Sequence, residues 1–242
     1  MKAIFIKEIN SFFASPIGYL VIVIYLIING LFLWVFEGDF NFLHAGFADL
    51  NSYFFLAPWI FIFLIPAITM RSFSDELNTG TIEILKTKPF TNWEIVIGKY
   101  LGALVLVLLA IIPTVIYAYS IYQLGNPKGN LNFGTTFGSF IGLIFLSSAY
   151  VTIGIFASTI SKNQIVSFLI AICITFFLFY GFEALSTLST LSNFNYTLQQ
   201  FGMLEHFNSI GKGVLDSRDL VYFASITFLF LFITKFRIQH AA

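Results

Sequence analysis

Eight charged side chains crowd one stretch of this chain, Thr69 to Lys99, between two strongly apolar runs. They are Arg71, Asp75, Glu76, Glu83, Lys86, Lys88, Glu94 and Lys99. The other groups able to do chemistry are scattered. His44, His206 and His240 fall in three separate regions, and each reads as a loop or interface residue. Cys173 is the single cysteine, inside an apolar run, so it can form neither an intrachain disulfide nor a cysteine metal site. It reads as a small buried packing residue. No G-x-x-x-x-G-K-[ST], H-E-x-x-H, C-x-x-C or G-x-S-x-G occurs. The chain therefore carries no positive sign of an enzyme and cannot cradle ATP phosphates in the usual way. Its charged stretch has to act by shape and contact.

Read locally, that stretch predicts two short helices around a glycine elbow. Ser72 followed by Asp75 has capping-box spacing, with Asp in place of the commoner Glu. Asp75 and Glu76 would then sit in a first turn, where the helix dipole favours acids. Phe73 and Leu77 share a face at i and i+4. Asn78-Thr79-Gly80 stops the helix, with Gly80 suited to a left-handed cap. A second helix through Ile82, Glu83, Ile84 and Leu85 ends before Pro89, and Lys99 at the start of the next apolar run snorkels to the surface. An exposed surface of mixed apolar and acidic groups suits a protein partner. A solvated loop with ordinary caps is the other reading of the same residues.

The elements that must position this stretch are membrane helices. Of 242 residues, 58% are hydrophobic and only 10% charged, against about 25% charged in soluble domains. The mean hydropathy is +0.88. A bilayer core takes roughly 20 apolar residues per helix, and six segments qualify: 17–36, 53–70, 95–122, 134–160, 164–182 and 219–235. Pro66 lies deep in the second and Pro113 in the third. Gly134, Gly138 and Gly142 form a small-residue stripe on the fourth, read as intrachain packing. The fold expected is all-α, a polytopic membrane protein of one domain spanning 1–242. Residues 1–14 are expected to form an interfacial helix, with Ile6, Ile9 and Phe13 on one face. The apolar run after Pro16 is too long for a signal h-region and lacks a cleavage site.

Basic residues set the orientation. With the N-terminus inside, the inner side holds nine: Lys2, Lys7, Arg71, Lys86, Lys88, Lys99, Lys162, Lys235 and Arg237. The outer side holds Lys128, Lys212 and Arg218, completing the twelve. Both termini and the charged stretch are thus expected in the cytoplasm. Residues 183–216 are too polar to span and too apolar for a free loop, which predicts a re-entrant helical hairpin in the outer leaflet. Leu191, Phe194, Leu198 and Phe201 on its apolar face would form an outer gate. Glu183, at the outer end of the fifth span, reads as interfacial, because ion relays place acids mid-membrane. Asp216 or Ser217 is expected to cap the last span, with Asp219 in its first turn.

The run MRSFSDELNTGTIEILKTKPFTNWEIVIGKY resembles the loop of type-2 ABC exporter permeases. The matching positions are Arg71, Glu76, Gly80, Thr81, Glu83, Leu85, Pro89 and Lys99. HFNSIGKGVLDSRDLVYF, from His206 to Phe223, resembles the family segment before the sixth span. KEINSFFASPIGYLVI, GLFLWVFEGDFN, GFADL and APWIFIFLIPAITMRSFSDE are similar to the gliding-motility branch of that family in Bacteroidota.

The resemblance implies a permease in the bacterial inner membrane, dimeric with a second copy or with a GldG-like subunit. It implies a cytoplasmic ABC ATPase, GldA-like, which binds ATP and Mg; this chain itself takes no cofactor. The 71–88 loop becomes a coupling helix, with Arg71, Phe73, Asp75, Glu76, Gly80, Thr81, Glu83 and Leu85 as its ATPase-coupling residues. Its function would be export or mechanical work in gliding motility, driven by that ATPase. Lipid, polysaccharide, peptide and secretion-system cargo all stay open. So do two other classes, a non-transporting membrane anchor of a motility or secretion complex, and a secondary transporter.

Overall fold

The computed structural model describes residues 1–44, 46–87, 89–187 and 195–240, with the side chains of Ile17, Ile84, Leu85 and Lys86 left out. Among the described residues every regular element is helical. Six stretches are long and apolar enough to cross a membrane: Gly18–Val35, Asn51–Thr79, Asn92–Leu124, Phe133–Ser158, Gln164–Ser186 and Ser217–His240. These are the six expected spans, with ends moved by a few residues except in the second.

Before the first span, α1 covers Lys2–Ala14. Span one is α2, Pro16–Gly30, with a π-helical turn at Leu31–Val35. Pro16 opens it at a position where its missing N–H is no loss. Span two is α3, Asn51–Thr69, and continues into α4, Arg71–Thr79. After the elbow comes α5, Thr81–Thr87. Span three is α6, Asn92–Ile111, a 3-10 turn at Ile112–Thr114, and α7, Val115–Leu124. Span four is α8, Phe133–Ser158. Span five joins α9, Gln164–Phe176, through a π-helical turn to α10, Phe182–Ser186. Among the described residues two short helices follow, α11 at Asn195–Gln199 and α12 at Met203–Gly211, before span six, α13, at Ser217–His240.

The fourth span is the hub, packed against α3, α6, α9, α12 and α13. Its glycines serve intrachain packing, as expected. A Cβ at Gly138 would lie 2.7 Å from the carbonyl oxygen of Ile210, and one at Gly142 would lie 3.2–3.4 Å from Ile210 and Phe207. At Gly154 a Cβ would collide with the Thr69 hydroxyl and come within 2.9 Å of Thr69 Cβ. Small residues here let α3 and α12 approach. The break at Pro113 is also used. Thr114 Oγ1 donates to Ile111 O at 2.6 Å, and Tyr53 and Tyr25 extend the chain at 2.7 and 3.0 Å, tying spans one, two and three inside the bundle.

Three local expectations are corrected. The face of α1 that packs is Ile4 and Glu8, four apart, seated over Gly98 and Gly102 of α6; Ile6 is exposed. Cys173 is exposed, on the outside of α9. Lys99 does not snorkel: it is buried among carboxylates.

Candidate functional site

Span two is longer than a bilayer requires. Its 29 residues as far as Thr79 extend about 43 Å at 1.5 Å per residue, against a hydrocarbon core of about 30 Å. Helix is not broken at Met70, which keeps right-handed helical angles and donates to Pro66 O at 2.8 Å. The expected Ser72–Asp75 capping box therefore does not form. Ser72 is a buried interior residue, and Asp75 and Glu76 lie beyond the first turn. The capping box of this region is Thr91–Glu94, at the start of α6. There the Thr91 side chain accepts from Glu94 N at 3.2 Å and the Glu94 carboxylate accepts from Thr91 N at 3.0 Å.

The base of α4 is locked by one buried cation. Lys99 Nζ donates to Glu8 Oε1 at 3.0 Å, Glu76 Oε1 at 2.9 Å and Ser72 O at 2.6 Å. Its side chain is only 2% exposed, against 11% for Glu8 and 13% for Glu76. It also lies 4.8 Å from the centre of the Phe73 ring. Lys7 reaches Glu76 Oε1 from the solvent side at 3.3 Å. Two cations thus face two carboxylates. The charges balance, as buried ions require. Glu76 Oε2 is buried with no partner among the described residues. A second tie runs to span five: Gln164 donates through Nε2 to Asp75 Oδ1 and accepts at Oε1 from Arg71 Nε, the latter at 3.2 Å.

The tip is open. Asn78, Thr79, Gly80, Thr81 and Glu83 are exposed, and Gly80 takes the left-handed conformation at φ 71°, ψ 4°. The Thr79 and Thr81 hydroxyls meet across the elbow at 2.9 Å. Six of the eight expected coupling residues therefore fall into two groups. Gly80, Thr81 and Glu83 share the exposed tip, while Arg71, Asp75 and Glu76 belong to the anchoring ties. Phe73 is fully buried, so it is not part of an exposed surface; its ring fills the space under Lys99. Leu85 lies in α5, with its side chain outside the described residues.

Of the expected outer-gate residues, Leu191 and Phe194 lie outside the described residues. Leu198 is half-buried in α11, and Phe201 is exposed in the turn beyond it. The packed apolar face here belongs to α12, through Met203, Phe207 and Ile210. Glu183 accepts from Gln199 Nε2 at 3.4 Å. Asp216 Oδ1 accepts from Arg218 N at 2.9 Å and so caps span six as expected. His206 is more than a loop residue. Its Nδ1 lies 2.6 Å from Asp219 Oδ1, its Nε2 lies 2.8 Å from Gln200 O, and its ring stacks on Tyr222 at 3.8 Å. No group of three or more His, Cys, Asp or Glu able to hold a metal occurs among the described residues.

Six apolar helices define a polytopic membrane protein. A family model described as ABC-2 family transporter protein matches residues 2–235. The chain belongs to this family: it is the permease subunit of an ABC transporter, the membrane component that works with a cytoplasmic ABC ATPase. No curated protein sequence matches it.

Proposed function

We propose that Arg71–Thr87 is the segment through which the partner ATPase drives this permease. The observation that carries the reading is the contrast along α4: a base buried and bonded to α1, α6 and α9, and a tip exposed at a glycine elbow. A docking segment needs both. The tip must be free to seat in a partner, and the base stiff enough to pass movement on. Gly80, Thr81 and Glu83 are the contact residues; Arg71, Asp75 and Glu76 hold the segment to the bundle. Basic residues at the same end, Lys2, Lys7, Lys162, Lys235 and Arg237, support a cytoplasmic location for that end and for both termini.

In this reading ATP and Mg bind in the ATPase alone. Closure of the ATPase pair rocks the spans and opens a path at the opposite end, beside α11 and α12, where Leu198 and Phe201 form part of an outer gate. The similarity to GldF-type permeases supports work in gliding motility in the inner membrane. A GldA-like ATPase and a second copy or a GldG-like subunit would complete the complex. The test is purification of the chain from its native membranes with its ATPase, reconstitution in lipid, and measurement of ATP turnover. Co-purification with turnover that falls on Glu83→Lys supports the reading. An ATPase that binds and turns over equally well with that variant refutes the docking site.

A further inference from the structure

Lys99 joins three elements that are far apart in the chain. Its ammonium bonds Glu8 of α1, Glu76 and the Ser72 carbonyl of α4, and itself belongs to α6. At 2% exposure the ammonium itself is almost wholly shielded from bulk solvent. Pulling one carboxylate away would leave a buried charge unpaired, which is strongly unfavourable. The α1 helix is keyed in place as well. A Cβ at Gly98 would lie 2.9 Å from Ile4 Cγ2, and one at Gly102 would lie 2.7 Å from Glu8 Cβ, so α1 rests in two notches of α6 and cannot slide along it.

The link from α4 back into span two is softer. Pro66 has no N–H, so the rung it would make to Ile62 is missing one turn before the junction. The Thr69 hydroxyl turns back to Ile65 O at 2.9 Å, a local bond of the kind that bends helices. Bending under a push on α4 would thus concentrate between Pro66 and Met70, with Lys99 as the resisting contact.

We propose that Lys99 is the fulcrum of this permease, binding α1, α4 and the start of span three into one body, so that α1 is a moving arm of the machinery and not only a surface anchor. The inference rests on the docking role of Arg71–Thr87. Lys99 acts through other groups and is a positioning residue.

The experiment measures the distance between nitroxides at Asn10 and Asn78, both exposed, by pulsed electron resonance on the full chain in nanodiscs. Cys173, which is exposed, is first replaced by serine. The wild-type pair should give one narrow distribution. In the ATPase complex its centre should move by less than about 2 Å between nucleotide-free and ATP-trapped states, as within a rigid body. Lys99→Met should abolish the narrow distribution while the helix content and the bound ATPase are retained. Glu8→Gln, which keeps an acceptor but loses the charge, should broaden it less, and it carries the test if the methionine variant fails to insert. A Lys99→Met distribution as narrow as wild type, or a wild-type distance that changes with nucleotide, overturns the proposal. Failure of the ATPase to contact the tip would show separately, as loss of binding sensitivity at Glu83 with the nanodisc distances unchanged.

Discussion

Replacing Gly80 isolates the elbow from everything around it. A Cβ added there meets nothing within 4 Å, so no neighbour opposes a side chain. What opposes it is the backbone, at φ 71°. An L-residue held there costs about 1–2 kcal/mol, and a β-branched one is the least tolerated. The seven-residue α5 beyond the elbow has little stability of its own, since helices shorter than about 12 residues are marginal in water. The elbow therefore has no reserve against such a cost, and 1–2 kcal/mol becomes about a 5–30-fold loss of the docking geometry. Titrating the co-purified ATPase onto permease nanodiscs reads this as a rise in Kd. Gly80→Val should show the largest rise, Gly80→Ala less, and Gly80→Asn least, because Asn is enriched in the left-handed region. Insertion should be unaffected in all three. Equal affinity for Val and Gly would refute the reasoning, and so would an Asn variant as weak as Val.

Gly154→Ala should lower the Tm in detergent by overpacking α8 against Thr69, at a cost of about 1–3 kcal/mol. Gly30→Ala, with nothing within 4 Å of the new carbon, should leave Tm unchanged or raise it. In the Cys173→Ser background, single cysteines at Asn78 and Lys162 should label only from the cytoplasm and those at Asn130 and Lys212 only from outside, all four positions being exposed. External labelling at Asn78 would reverse the orientation. Asp219→Leu removes the acceptor from His206 Nδ1; at about 1.5 kcal/mol for a charge-assisted bond, hydrogen exchange in Met203–Gly211 should quicken roughly tenfold, with the Phe133–Ser158 hub unaffected.

The parts of this fold that hydropathy and local chemistry control were legible in the sequence. The six spans follow from apolar length, and Gly80 is left-handed because a glycine after Asn-Thr is the cheapest way to stop a helix there. The misreadings at Lys99 and Phe73 share one cause, in that contacts distant in the chain override local signals. Ser72 and Asp75 have capping spacing, yet the helix of span two simply continues through them. In the sequence Lys99 looks free to snorkel, because its partners lie 91 and 23 residues away and nothing local announces them. Glu8 offered a hint, as an acid on the packed face of a helix. The Thr91–Glu94 box was a signal in plain view that the larger pattern obscured. Phe73 shows the same effect in reverse, a residue assigned to a surface that is closed over by the lysine it supports.

A photo-crosslinking residue placed at Glu83 and activated in native membranes tests the central claim most directly, because Glu83 is exposed at the tip and makes no part of the anchoring ties. The account predicts an adduct to a cytoplasmic ABC ATPase, identified by mass spectrometry through peptides carrying G-x-x-x-x-G-K-[ST], with none from a crosslinker at Asn130. An adduct from Asn130, or an ATPase that co-purifies with the permease yet never crosslinks at Glu83, would contradict it.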